Sequence, residues 1–162
     1  MKSTKKLFDM SSVDAVLVIS EKNRMYFTGF ASTFGYLVLL PNEKSVFITD
    51  PRYFEMAQTL QNDGVEVRQI SNGISGLTSV CEILNEYGAK TVGFEDTELT
   101  VAEFSSIKQS LSDFDLKSVG ADINFVRSYK DATEIEYIKK AQSITDAAFS
   151  QVLSVIKPGI TE

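Results

Sequence analysis

Short runs of unbroken apolar residues alternate along this chain with longer stretches whose apolar positions recur every three or four residues. Ala15-Val16-Leu17-Val18-Ile19 has no polar interruption and is rich in β-branched side chains, the pattern of a strand covered on both faces. Tyr36–Leu40 and Ser45–Thr49 repeat that pattern. The short polar turn Pro41-Asn42-Glu43-Lys44 between them predicts an antiparallel hairpin. Asp50 then reads as an N-cap with Pro51 in the first helical position, where a missing N–H costs nothing. Tyr53, Phe54, Ala57 and Leu60 supply the apolar face of that helix, which stops before Asn62-Asp63-Gly64.

Val65–Ile70 alternates apolar and polar positions, as a half-exposed or edge strand does. A helix from about Ile74 to Tyr87 is closed by Gly88, which reaches the left-handed cap conformation without strain. Thr91–Glu95 is a further strand. Thr100 and Glu103 form a capping box ahead of a helix with Phe104, Ile107 and Leu111 on one face. Phe114–Val119 is a last, weaker strand. Asn23–Phe30 reads as an aromatic turn, and residues 120–130 lack periodicity and read as a connector. Asp131 and Glu134 cap a long helix carrying Ile135, Ile138, Ala141, Thr145, Ala148, Phe149, Val152 and Ile156. At about 1.5 Å per residue, its roughly 26 residues extend about 40 Å. The whole predicts an α/β fold, a mixed β-sheet with helices on both faces, followed by a long helix.

Composition narrows the function. The chain has 162 residues, 43% of them hydrophobic, enough for one domain with a core and an extension. Sixteen basic against 22 acidic residues leave a net charge of −6 without a basic cluster, which argues against nucleic acid as a partner. The longest apolar runs are too short for a bilayer, so no membrane association is expected. Lys2, Lys5 and Lys6 are followed by Asp9, Ser11, Ser12 and Asp14, where a signal peptide needs an apolar core. A cytoplasmic protein is expected. Cys81 is the lone cysteine and falls on an apolar stripe with Leu77, Val80 and Leu84, as a small buried hydrophobe. The chain has no histidine, which removes Ser-His-Asp and Cys-His catalysis and the commonest metal sites together.

Few residues remain as candidates for chemistry. Gly73-Ile74-Ser75-Gly76 precedes a helix but has two glycines and no Lys-Ser/Thr, so a simple turn is expected. Capping explains the Thr100/Glu103 and Asp131/Glu134 pairs without acid–base roles. Arg52 stands in the first turn of a helix, where the dipole disfavours a cation. Asp50 or Glu55 offsets it, or else an anion such as a peptide carboxylate does. Gly29–Gly35 holds Phe30 and Phe34 between two glycines. Both rings either fold back on the sheet or project as interface anchors.

Five phrases in order resemble the creatinase/prolidase family, whose members include Xaa-Pro aminopeptidases and Xaa-Pro dipeptidases. They are Asn23–Phe30, with Phe27 in place of the usual leucine; Thr49-Asp50-Pro51-Arg52-Tyr53-Phe54-Glu55-Met56-Ala57; and Val92-Gly93-Phe94-Glu95. The fourth is Arg127 and Lys130-Asp131 with Glu134-Ile135, Ile138, Ala141 and Asp146, and the fifth is Lys157–Glu162. The resemblance implies an N-terminal domain over residues 1–130, then a connecting helix and the truncated start of a metallopeptidase domain over 131–162. It implies a non-catalytic half of an enzyme that hydrolyses the bond preceding proline. The two divalent metal ions, manganese by expectation, belong to the absent C-terminal domain, and no catalytic or metal-binding residue is assigned to this chain. A homodimer and a proline-containing peptide substrate are the implied partners. By position, Phe30 and Phe34 lie on a loop that limits substrate length or contacts the partner subunit, with Arg52 and Tyr53 close to it. A non-catalytic peptide- or protein-binding module is the alternative. Whether the specificity is that of a dipeptidase or an aminopeptidase stays open.

Overall fold

The computed structural model describes residues 2–71 and 73–161; the Glu162 of the last family-like phrase lies outside them. The chain divides into two units, residues 1–127 and 128–162.

The first unit is built on six strands: β1 (Ala15–Val18), β2 (Tyr36–Leu39), β3 (Ser45–Thr49), β4 (Val65–Gln69), β5 (Thr91–Phe94) and β6 (Asp115–Ser118). They form one sheet in the order β4-β3-β2-β1-β5-β6. Strand β2 runs antiparallel to both neighbours, while the β3–β4, β1–β5 and β5–β6 pairs are parallel. The sheet is therefore mixed, with β2 alone reversed.

Each apolar strand feeds two cores because successive side chains leave opposite faces. Val16, Val18, Leu37, Leu39 and Phe47 pack on one face with Leu7, Phe27, Ala57, Leu60, Ile123 and Val126. Those residues come from helices α1 (Lys5–Ser11), α2 (Glu21–Thr28), α3 (Pro51–Ala57) with its 3-10 extension Gln58–Asp63, and α6 (Gly120–Ser128). Ala15, Leu17, Val38, Val46 and Ile48 pack on the other face against Val80, Ile83 and Leu84 of α4 (Gly76–Glu86), and Ile107 of α5 (Val101–Ser110). Unbroken apolar strands and helices on both faces are one fact stated twice.

Local chemistry sets the boundaries. The Asp50 carboxylate accepts from the Arg52 N–H with Pro51 at the helix start, and the Thr100–Glu103 capping box is formed. Gly64 and Gly88 take the left-handed conformation at φ 79° and 67°. Edge strand β4 carries Arg68, whose Nε donates to Glu66 at 2.5 Å and whose Nη atoms donate to Glu86 at 2.7 and 3.0 Å. A charged edge of this kind resists pairing with another chain.

Three expectations change. Asn23–Thr28 is helical within α2 and not an aromatic turn, and residues 120–128 form α6 in place of a connector. Helix α1 has no counterpart in the pattern. Cys81 is partly buried, with Asn85 Nδ2 at 3.5 Å from its sulfur, so it flanks the core instead of filling it.

The second unit contains α7 (Ala132–Val155), 24 residues long and opened by an Asp131–Glu134 capping box. Ile138, Phe149 and Val152 are exposed along it, as is Ile156 at its C-cap. Among the described residues no helix is long and apolar enough to cross a membrane.

Candidate functional site

All strands but β2 point the same way, so the turns after β1, β3, β5 and β6 and the approach to β2 meet along one edge of the sheet. Ligands of open α/β sheets gather at that carboxyl edge. Here it is organised by a buried carboxylate. Leu17 and Phe94 are register partners on β1 and β5, which sets Glu95 beside the turn from β1 into α2. Glu95 is fully buried and accepts four hydrogen bonds: Ile19 N–H at 2.5 Å, Ser20 N–H at 2.9 Å, Ser20 Oγ at 2.8 Å and Asn23 Nδ2 at 2.5 Å. A buried carboxylate survives only with such a donor set.

Arg24 adds a second buried charge one residue on. Its Nη1 donates to the Ile19 carbonyl and its Nη2 to the Ser32 carbonyl, the latter at 2.6 Å. Burial pulls the guanidinium pKa down, and the carboxylates of Glu21 and Glu95 oppose that fall. The Ile19–Ser20 peptide thus lies between the two charges, the Ser20 N–H on Glu95 and the Ile19 C=O on Arg24.

The segment leading into β2 is fastened at several points. Thr28 Oγ1 donates to the Arg24 carbonyl at 2.7 Å and accepts from Phe30 N–H at 3.1 Å. The Tyr53 hydroxyl meets Thr33 Oγ1 at 2.8 Å and accepts from Thr33 N–H at 3.4 Å, and these hydrogen bonds pull the Tyr53 pKa down. Phe30 packs edge-on against Phe47 at 5.7 Å, and Phe34 against Tyr36 at 5.8 Å. Gly35, with φ 149°, passes so close that a Cβ there would stand 2.8 Å from the Phe47 ring. Both phenylalanines fold back on the sheet, leaving Ala31 and Thr33 exposed.

Of the residues singled out from sequence, Phe30 and Phe34 lie on this segment and Tyr53 is fastened to it through Thr33. Arg52 stands beside Tyr53, its guanidinium 5.5 Å from the centre of that ring, while its Nε and Nη2 bind Asp50 Oδ2 at 2.9 and 2.6 Å and Glu55 takes no part in that pair. The Arg52 guanidinium beside Asp50 holds that carboxyl below its usual range.

Sequence reasoning missed Arg24, Asn23 and Glu95 as a unit. Two signals were present: a carboxylate closing an apolar strand, and Asn-Arg heading an aromatic stretch. A cavity of about 330 Å³ at the same edge, lined by Phe94, Asp96, Leu99, Thr100, Phe104 and Ser118, was also missed. Among the described residues no three His, Cys, Asp or Glu side chains gather as a cation site requires. The arrangement holds backbone in place; it supplies no nucleophile with a base beside it.

A mixed six-stranded sheet, helices on both faces and a fastened segment at the carboxyl edge define an α/β scaffold domain. The chain belongs to the Creatinase/Prolidase N-terminal domain family, whose profile matches residues 1–129. It is 33% identical over 162 residues, all of this chain and 45% of the relative, to the uncharacterised peptidase YqhT of Bacillus subtilis. Its structure is similar to that of an Xaa-Pro dipeptidase from Bacillus anthracis, with a TM-score of 0.86 and 32% identity over 98% of this chain and 44% of the other. It is also similar to an X-Pro aminopeptidase from Thermotoga maritima, with a TM-score of 0.81 and 27% identity over 96% and 45% of the two chains. The chain spans less than half the length of these relatives.

Proposed function

We propose that this chain is the scaffold half of a cytoplasmic, metal-dependent peptidase that hydrolyses the bond preceding proline. The observation that carries this reading is the match along nearly the whole chain to the first part of proteins named as Xaa-Pro dipeptidase and X-Pro aminopeptidase. Residues 1–130 form the domain and residues 131–162 lead into a second, catalytic one, which holds the two divalent ions, manganese by preference. The ions supply Lewis acidity and an activated water there. This chain's residues contribute no ligand. They pair with a second copy in a homodimer and present the Phe30–Tyr36 segment, with Tyr53 behind it, where it limits the length of peptide admitted. Support for that placement comes from the segment's position at the carboxyl edge and from the fastening of Thr33 to Tyr53.

The test uses the complete protein and the 162-residue chain side by side. With added manganese, the complete protein is expected to cleave an Xaa-Pro peptide, and the chain alone to leave it intact. A complete protein that binds such peptides without cleaving them replaces this reading with a non-catalytic binding module.

A further inference from the structure

Arg24 is only 3% exposed, yet no carboxylate receives its guanidinium. The planar fork instead bridges two main-chain carbonyls. Ile19 directly follows β1, a fully buried strand paired on both sides. Ser32 sits within the Phe30–Tyr36 segment, outside any helix or strand, and is itself 4% exposed. Arg24 Nε, Asn23 Oδ1 and the Ser32 hydroxyl are all buried without a hydrogen-bond partner. Burying a guanidinium and orphaning three polar atoms lowers stability, and well-packed apolar side chains often serve a core as well or better. Polarity kept at that cost fixes a geometry that apolar packing does not specify. A lysine cannot replace it, because an ammonium on a flexible stem does not span two carbonyls as a guanidinium does.

We infer that Arg24 is the positioning residue of the Phe30–Tyr36 segment. It ties Ser32 to the end of β1 and so sets where Ala31–Thr33 stands on the carboxyl edge. Glu95 completes the device by accepting from the Ser20 N–H at the other end of the Ile19–Ser20 peptide. The Thr33–Tyr53 hydrogen bond is an outer fastening, exposed to water and weaker for it. In the complete protein this clamp fixes the length of peptide the segment admits, a consequence that rests on the functional reading above.

Chymotrypsin reads the clamp directly, since Phe30 and Phe34 are its targets. In Arg24→Met, native-state nicking at these two residues is expected to rise about tenfold or more, the scale set by losing hydrogen bonds from a charged donor. Leu84→Ala, on the opposite face of the sheet, serves as control, with nicking that follows its global unfolding alone. Arg24→Lys carries the test if Arg24→Met does not fold, with the same acceleration expected. Nicking at the unsubstituted rate overturns the inference, as does equal nicking in Leu84→Ala at matched melting temperature. In the complete protein, Arg24→Lys is expected to change the ratio of kcat/KM for Xaa-Pro dipeptides and tripeptides at unchanged metal content. Faster nicking with an unchanged ratio upholds the clamp and removes the length-restricting role. An inactive complete protein removes the peptidase reading, while nicking still decides the clamp.

Discussion

Glu95 and Arg52 mark the two extremes of what one charge does in this domain. Glu95 is sealed among four donors, and Gln in its place keeps one accepting oxygen for the Ile19 and Ser20 N–H groups and turns its NH2 group toward the NH2 group of Asn23. Glu95→Gln is expected to cost about 3 kcal/mol, as for breaking a buried charged network, read from urea unfolding. A cost no larger than that of a surface substitution would mean the carboxylate is not what holds the β1–α2 turn. Arg52 lies at the other extreme, its side chain 66% exposed and paired with Asp50 two residues earlier. Exposed pairs contribute little, so Arg52→Ala is expected to leave the melting temperature within the scatter of surface variants. A clear fall would identify the pair as a structural lock. Neither outcome was legible in residue type alone, because a carboxylate or a guanidinium has opposite consequences inside and outside.

The elements differ in how openly they announce themselves, and capping is the clearest signal. Asp50-Pro51, Thr100–Glu103 and Asp131–Glu134 each place a helix start where the side chain satisfies backbone donors, a purely local matter. Helix α2 is hidden for the converse reason. Asn23, Arg24 and Thr28 face inward with Phe27, while Met25 is 52% exposed, so its hydrophobic pattern is inverted by the network it serves. Helix α6 is short, opens on glycine and exposes Phe125, which leaves Ile123 and Val126 as too small a periodic signal. Asp14 shows how elements are joined across the sheet: its Oδ2 accepts from the N–H groups of Lys90 and Thr91 at 2.9 and 2.8 Å, leading into β5. These bonds hold the Asp14 carboxyl below its usual range. A depressed folded-state pKa gives stability that is present above the ordinary carboxylate value and lost as pH falls through the lower one. Urea midpoints should therefore drop below about pH 4. Asp14→Asn, whose amide oxygen reaches the same two N–H groups, should keep most neutral-pH stability and flatten that decline. An unaltered acid slope would assign it to other carboxylates.

At the scale of the molecule, both apolar clusters lie within residues 1–127. A chain ending at Tyr129 is therefore expected to unfold in one cooperative urea transition, with far-UV helix signal reduced by the loss of α7. A broad, non-cooperative transition would show that residues beyond 129 complete the core. Amino-acid order by itself determined the α/β class, the hairpin, the double-sided covering of the sheet and the family, since apolar periodicity, caps and turn chemistry act over a few residues. Tertiary structure alone decided that β1 lies between β2 and β5, that Glu95 meets Ser20 and Asn23 from 72 residues or more away, and that Arg24 reaches Ser32. Those contacts join residues that share no local pattern. They exist because the chain reverses once, at β2, and brings its strand ends to a common edge.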